Sequence, residues 1–302
     1  MPMSKSTAKI IDGRAIAGRL KQALQAELAG FGKPPELRVL YFNQPASQVY
    51  WHAQQTLAKE LGIGTGSGGA SGEWRNGSTM QPWDISQDHL NAIIDWWNKD
   101  PRVHGIFVHQ PMPPQIDAQL VSSLIDPRKD IEGIHPQNSA RRFFAKSRIG
   151  SCTALSVMEL IESTGITLEG KEAVVVGHSE IVGRPVSMLL LDKLATTTIC
   201  HVGTDKAGRL EEHVRRADVL VVAVGRPQFI KGAWIKPGAV VIDVGINVVS
   251  GKVVGDIEAS AAEQAAWVSP VPGGVGPVTA MMVMKNTIEA YKMQAVQSGH
   301  PA

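Results

Sequence analysis

The apolar positions of the chain follow two distinct patterns. In the second half, Ala173–Val176 and Val219–Val224 are continuous apolar runs of strand length, Ala239–Val244 is one broken only by Asp243, and Thr196–Cys200 is a β-branched one. Runs of this kind suit strands covered on both faces, as in a parallel sheet. Three of them lead into Gly177, Gly225 and Gly245, where backbone can approach a ligand at the carboxyl edge of the sheet. Leu210–Ala217 reads as a short charged helix between two of the strands. Strands alternating with helical or loop segments at this interval predict βαβ units and a doubly wound sheet.

The first half mixes the helical and strand periods. Ile16, Leu20, Leu24 and Leu28 recur every four residues, which predicts an amphipathic helix from near Gly13. Leu37–Phe42 reads as a strand, Asn43-Gln44-Pro45 as a turn, and Ser47 as the cap of a helix that carries Tyr50, Leu57 and Leu61 and stops near Gly62. Residues 62–78 are rich in Gly and Ser and predict a loop. Ser86 opens a helix through Trp96 and Trp97, an aromatic pair read as packing. Val103–His109 is a strand ended by Pro111, Pro113 and Pro114, and Asp117–Leu124 a further helix. Residues 126–133 form a charged loop, 143–152 cross into the second half, and Met281–Met293 is a final helix. Residues 1–9 are a loose lead-in and 298–302 fray. The expected organisation is an α/β protein of two domains, 1–150 rejoined by the C-terminal helix 281–302, and 151–280 as a Rossmann-like, doubly wound nucleotide-binding domain.

Composition narrows the class. At 302 residues the chain can bury two cores. Lys plus Arg number 30 against 28 Asp plus Glu, so no basic surface argues for nucleic acid. Cys152 and Cys200 are the only cysteines and lack metal-ligand spacing, so neither a disulfide framework nor a metal site is expected. With no apolar leader and no run of 18 apolar residues, a membrane span is not expected either. The reading is a cytoplasmic α/β protein.

The stretch AVVVGHSEIVGRP, residues 173–185, carries the first chemistry. A strand, a glycine turn and a helix start coincide, with Pro185 placed where its missing N–H costs little. Unpaired N–H groups and the helix dipole there favour a phosphate. The spacing Gly177-x-Ser179-x-x-x-Gly183 departs from G-x-G-x-x-G, with a serine in place of the second glycine. A plain strand-to-helix turn is the alternative.

Four stretches taken together resemble one family: Pro45–Tyr50, Lys129–Gly133, Gly177–Ser179 with Val182–Pro185, and Ile242–Asn247 with Pro270–Pro277. On them the chain is similar to the methylenetetrahydrofolate dehydrogenase/cyclohydrolase family of the FolD type, over nearly its whole length. The resemblance implies two α/β domains facing a cleft, a homodimer, and a tetrahydrofolate derivative as substrate. Its implied cofactor is NADP, with NAD the alternative. It implies oxidation of 5,10-methylenetetrahydrofolate, then hydrolysis of the methenyl product to 10-formyltetrahydrofolate. It places Ser47, Tyr50, Glu132, Pro272, Gly273 and Gly274 on the folate. On the cofactor it places Gly177, His178, Ser179, Ile181, Val182, Arg184 and Pro185. To these it adds His201, Val202, Val224, Gly225, Gly245, Ile246, Asn247, Gly276 and Thr279.

The catalytic positions of that family fall on Tyr50, Gln54, His109 and Glu132, and three depart from its pattern: Gln54 stands for a lysine, His109 for a glutamine and Glu132 for an aspartate. Hydride loss from an aminal carbon needs orientation, because the nitrogen lone pairs stabilise the cation that forms. Hydrolysis needs a group that trades protons, and a carboxamide has none to trade at neutral pH. The implied activity is therefore a dehydrogenase with weak or lost cyclohydrolase activity. A non-catalytic folate- or nucleotide-binding paralogue is the rival. His109 has two readings, a titratable substitute for the lysine or a histidine hydrogen-bonded at a strand end. His178 and Val202 hold the positions where the family reads a 2′-phosphate, and Arg184, Lys206 and Arg209 are the nearby cations.

Overall fold

The computed structural model describes residues 8–66, 75–144 and 148–297. Most of the glycine-rich stretch, part of the 143–152 crossing, residues 1–7 of the lead-in and the last five residues lie outside the described residues. Contacts divide the chain into two compact units, one of residues up to Arg19 with Thr153–Thr279, the other of Leu20–Cys152 with Ala280 onward.

The chain begins with β1 (Lys9–Ile10) and α1 (Gly13–Leu28). β1 is no loose lead-in, because it pairs in parallel with a strand near residue 267 and so draws residues 8–19 into the first unit. Next come β2 (Leu37–Phe42), α2 (Pro45–Leu61), β3 (Thr79–Gln81), α3 (Gln87–Lys99) and β4 (Gly105–Val108). The three strands form a parallel sheet in the order β3-β2-β4. β2 lies at its centre, which explains its largely apolar sequence; Arg38, the charged exception, is buried and paired with Glu36. α3 packs Leu90, Ile93, Ile94 and Trp97 on one face of this sheet, against Leu40, Phe42, Ile106 and Val108. Only Trp97 of the tryptophan pair is core; Trp96 is exposed beneath the Arg75 guanidinium. α4 (Ala118–Leu124) and α5 (Pro136–Phe143) complete this stretch.

α6 (Cys152–Glu162), β5 (Glu172–Val176), α7 (Gly183–Asp192), β6 (Thr196–Cys200), α8 (Val202–Lys206), α9 (Leu210–Arg216) and β7 (Val219–Val222) follow. Then come β8 (Val240–Asp243), the hairpin β9 (Asn247–Val249) and β10 (Lys252–Val254), β11 (Trp267–Val268) and α10 (Val275–Gln297). The six-stranded sheet of the first unit runs β1-β11-β8-β7-β5-β6, parallel throughout. α10 starts six residues before the expected Met281, because Gly276 and Pro277 occupy its first turn, where proline's missing N–H goes unused.

Candidate functional site

In the Leu20–Cys152 unit the site starts at the carboxyl end of β2. Gln44 is the N-cap of α2 and Pro45 its first residue, so Ser47 sits inside the first turn and is not the cap. Its hydroxyl instead accepts the Phe42 N–H at 3.1 Å, tying the strand end to the helix start. His109 follows β4, donates its N–H to the Leu40 carbonyl at 2.9 Å, and is only 1 % exposed.

Both imidazole nitrogens of His109 are engaged. Nε2 lies 2.8 Å from Gln54 Oε1 and Nδ1 lies 2.9 Å from Ser47 Oγ. Burial pushes the His109 pKa down to about 4, so the ring is neutral at pH 7. Of its two sequence readings, the geometry corresponds to the hydrogen-bonded one. Gln54, one helical turn after Tyr50, is 0 % exposed, and its Nε2 is buried without a hydrogen-bond partner. The Tyr50 ring packs at 5.1 Å from the His109 ring and 6.3 Å from Phe107. Burial raises the Tyr50 phenol pKa, the nearby Cys152 and Glu132 add to the rise, and the Gln54 amide opposes it.

Gly105 brings Glu132 to this place. A Cβ at Gly105 would come 2.7 Å from Ile131 Cγ2, so only glycine lets residues 129–133 run against β4. The Ile106 N–H then bonds the Lys129 carbonyl at 2.8 Å. Asn286 of α10 fastens the same segment, donating Nδ2–H to the Ile131 and Gly150 carbonyls at 2.7 and 2.8 Å. Glu132 is half-buried and, among the described residues, its carboxyl makes no hydrogen bond. Burial first, then the neighbouring Asp130 carboxylate, pushes its pKa up to about 8.

Lys129 and Asp130, read from the sequence as part of a charged loop, are buried. Lys129 Nζ donates to the carbonyls of Trp97, Asn98 and Asp100 at 2.9, 2.8 and 2.7 Å, closing the end of α3. Asp130 Oδ2 accepts from the His135 N–H and from Asn138 Nδ2. Both are structural ties that hold the Glu132 segment in place.

In the unit of Thr153–Thr279, a cavity of about 280 Å³ opens at the carboxyl ends of β5, β6 and β7. It brings together the expected Gly177, His178, Ser179, His201, Val202 and Val224, and adds Asp205, Arg226 and Phe229. A Cβ at Gly183 would come 2.1 Å from the Gly177 carbonyl oxygen, so glycine is required where helix meets turn. Ser179 Oγ accepts the Val182 and Gly183 N–H groups at 3.2 and 3.4 Å, taking up two donors of the turn expected to face a phosphate. His201 Nδ1 caps α8 through the Gly203 N–H at 3.0 Å, and its ring lies 5.3 Å from that of His178. Ile181, Val182, Arg184 and Pro185 lie in the turn and helix start outside the cavity lining, and Arg184 pairs with Glu180. Gly225, Gly245 and Asn247 belong to a neighbouring network around Asp243 and Asp256. Asp243 accepts from the Gly245, Asp256 and Ile257 N–H groups, and its pKa is pushed up to about 6 by burial. Ile246 is exposed, Pro272 to Gly274 form a turn closed by Gly274 N–H to the Pro270 carbonyl at 2.8 Å, and Gly276 and Thr279 lie in the first turns of α10. Among the described residues no cluster of His, Cys, Asp and Glu could hold a metal ion.

Residues 11–132 match the family model of the tetrahydrofolate dehydrogenase/cyclohydrolase catalytic domain, and residues 151–295 match that of its NAD(P)-binding domain. The chain belongs to the tetrahydrofolate dehydrogenase/cyclohydrolase family. It is 45 % identical over 293 residues to bifunctional protein FolD 2 of Geobacter sulfurreducens, covering 95 % of this chain and 98 % of the relative. The bifunctional FolD enzyme of Campylobacter jejuni superposes with a TM-score of 0.86 at 34 % identity, covering 95 % of this chain and 99 % of the other. The FolD of Trypanosoma brucei, solved with NADP cofactor and inhibitor, gives a TM-score of 0.86 at 34 % identity over 95 % and 98 %.

The residues that the family stretches did not reveal are Asn286, Cys152, Arg226 and Asp256. Asn286 had a weak signal, as an amide just after the apolar run Met281–Met284 of α10. Asp256 had a weaker one, a single carboxylate between Gly255 and Ile257. Arg226 guanidinium lies over the Phe229 ring at 3.8 Å and pairs with Asp205 at 3.3 Å, neither of which the sequence announces.

Proposed function

We propose that this chain oxidises 5,10-methylenetetrahydrofolate to the 5,10-methenyl form with a nicotinamide cofactor, and hydrolyses the product weakly. The observation that carries this reading is the neutral, buried Gln54–His109 pair at the position where a proton carrier is needed. Hydride leaving a neutral aminal carbon leaves a cation shared by two nitrogens, and no proton moves. A site whose nearby groups are Tyr50, a carboxamide, a neutral imidazole and the Glu132 carboxyl does not repel such a cation. Hydrolysis requires water to lose a proton and a ring nitrogen to gain one, and neither Gln54 nor His109 trades protons near pH 7. Glu132 is the titratable group that remains, and in this reading it is occupied by the pterin.

The cavity around Gly177, His178, His201 and Arg226 fits one half of a dinucleotide: it lies where three parallel strands end, with a cation and an aromatic ring at its edge. When bound, the nicotinamide accepts the hydride. We infer NADP as the preferred form, with Arg226 able to exchange Asp205 for a 2′-phosphate, and NAD as the alternative. A homodimer in the cytoplasm completes the reading, and sedimentation and cell fractionation test those two points.

The test is direct. Purified protein is mixed with methylenetetrahydrofolate and each nicotinamide, and methenyl absorbance is followed. Nicotinamide reduction with methenyl accumulation is expected, and no turnover with either cofactor overturns the reading.

A further inference from the structure

Among the residues lining the cavity at the ends of β5, β6 and β7, Asp205 is the one carboxylate and Arg226 the one arginine or lysine. They meet there, Arg226 Nη1 donating to Asp205 Oδ2 at 3.3 Å. Each is placed by its own surroundings. Asp205 rides on α8, whose start is tied twice: His201 Nδ1 accepts the Gly203 N–H at 3.0 Å, and Thr204 Oγ1 accepts the His201 N–H at 3.2 Å. Arg226 lies in the turn after β7, with its guanidinium 3.8 Å from the centroid of the Phe229 ring. That contact steadies the cation whether or not a carboxylate is paired with it. Arg184, Lys206 and Arg209 lie outside the lining, and the two arginines pair with Glu180 and Glu212.

In a dinucleotide-binding sheet, the adenosine ribose sits beside the end of the strand that follows the glycine turn. A carboxylate roughly 20 residues beyond the glycines accepts the 2′-hydroxyl of NAD, and a nearby arginine takes the 2′-phosphate of NADP. Asp205 falls at about that spacing from Gly183, in the short helix after β6. This chain thus carries a reader for each form of the cofactor, and the two readers are paired with each other.

We propose that Asp205 sets the cofactor selectivity. It accepts the ribose 2′-hydroxyl of NAD while paired with Arg226, and yields Arg226 to the 2′-phosphate of NADP, so that the protein takes both forms and favours NADP only modestly. This rests on the nucleotide reading above, and names residues that weigh the two forms at positions other than His178 and Val202. Both members of the pair are half-exposed, and such a pair is weak, about fivefold or less in binding terms. Giving it up therefore costs little. A phosphate offers the steadied guanidinium two oxygens and more charge than the carboxylate does, which outweighs that cost. The gain stays bounded because the Asp205 carboxylate remains close by and repels the phosphate.

Two ligands that differ only in the 2′-phosphate test this on the whole protein without turnover. They are adenosine 2′,5′-bisphosphate and 5′-AMP, with dissociation constants measured by calorimetry. Wild-type protein should bind the bisphosphate more tightly, by less than about thirtyfold; a larger preference, or a preference for AMP, overturns the proposal. Asp205→Asn should raise the ratio about tenfold, tightening the bisphosphate and weakening AMP. A ratio unchanged or lowered in that variant overturns it. Arg226→Gln should weaken the bisphosphate about tenfold and leave AMP within about twofold. Equal loss of both ligands would make Arg226 part of the adenine site alone and overturn its role as a reader, as would no loss of the bisphosphate. If neither ligand binds wild-type protein, the nucleotide reading of the cavity falls as well. If both bind and neither variant shifts their ratio, that reading stands and only the role of Asp205 and Arg226 falls.

Discussion

The Asp256 carboxylate holds the Gly225 backbone N–H at 2.9 Å. The same oxygen takes the Val224 N–H at 2.7 Å, and its other oxygen takes Asn247 Nδ2 at 2.9 Å. One fully buried side chain thus joins the end of β7 to the start of β9 and, through its own N–H on Asp243, to the end of β8. Asp256→Ala leaves these donors unpaired and should cost about 2–4 kcal/mol of stability. It should also raise the nicotinamide KM while tetrahydrofolate affinity holds. Saturating cofactor should recover part of the lost melting temperature. A wild-type cofactor KM in a stable variant would refute this link.

Gly183 tests the turn itself. Its missing Cβ leaves room for the Gly177 carbonyl, which a side chain would meet at 2.1 Å. Gly183→Val must push the helix start off the turn, at about 1–3 kcal/mol. The cofactor KM should rise, with tetrahydrofolate still bound because Tyr50, Gln54, His109 and Glu132 belong to the other unit. An unchanged cofactor KM would remove this turn from the cofactor site.

The sequence shows the elements that repeat and hides those that depend on distant partners. β2 and β6 were legible to the residue, β2 because a central strand is written in mostly apolar residues and β6 because its residues are β-branched almost throughout. β1 and β11 are two residues each and carry no period, so their pairing is invisible before folding. The burial of the Lys129–Asp130 pair was hidden because its partners are carbonyls about thirty residues back and an asparagine eight residues on. The motif stretches located the candidate site, but the protonation of His109 was out of reach. Its ring partners, Ser47 and Gln54, are 62 and 55 positions away, and only packing brings them together.

Glu132 should couple folate binding to protons. Its carboxyl pKa stands at about 8, against an ordinary 4.5, with burial the main cause and the Asp130 charge the second. At pH 7 the free protein therefore holds it protonated. A pterin offers N–H donors, which favour the carboxylate and lower the pKa on binding. Binding should release a proton between about pH 5 and 8, with affinity rising as pH rises through that window and levelling above it. Calorimetry in two buffers of different ionisation enthalpy measures the release directly. Glu132→Gln should abolish the release and weaken binding about tenfold. Equal heats in both buffers at pH 7 would show that Glu132 stays protonated against the ligand.

The lysine that the family places at position 54 makes the sharpest test of the division between the two reactions. Gln54→Lys introduces an ammonium into a buried place beside neutral His109 and Tyr50, with Glu132 close to Tyr50. Desolvation lowers the pKa of the new ammonium, which brings its proton into exchange near neutrality. His109 resists the change, because it is buried in contact with position 54 and loses the Gln54 Oε1 partner that its Nε2 has at 2.8 Å. The single substitution should therefore restore only part of the hydrolysis. Adding His109→Gln supplies an amide oxygen that can accept from the ammonium, and the pair should restore more than the sum of the two single changes. The quantity to measure is 10-formyltetrahydrofolate formed per methenyltetrahydrofolate produced, corrected for spontaneous hydrolysis in buffer. Wild-type protein should release most of its methenyl product unhydrolysed. A wild-type ratio equal to that of the double variant would mean that another group, with Glu132 the first to examine by Glu132→Gln, already moves the proton.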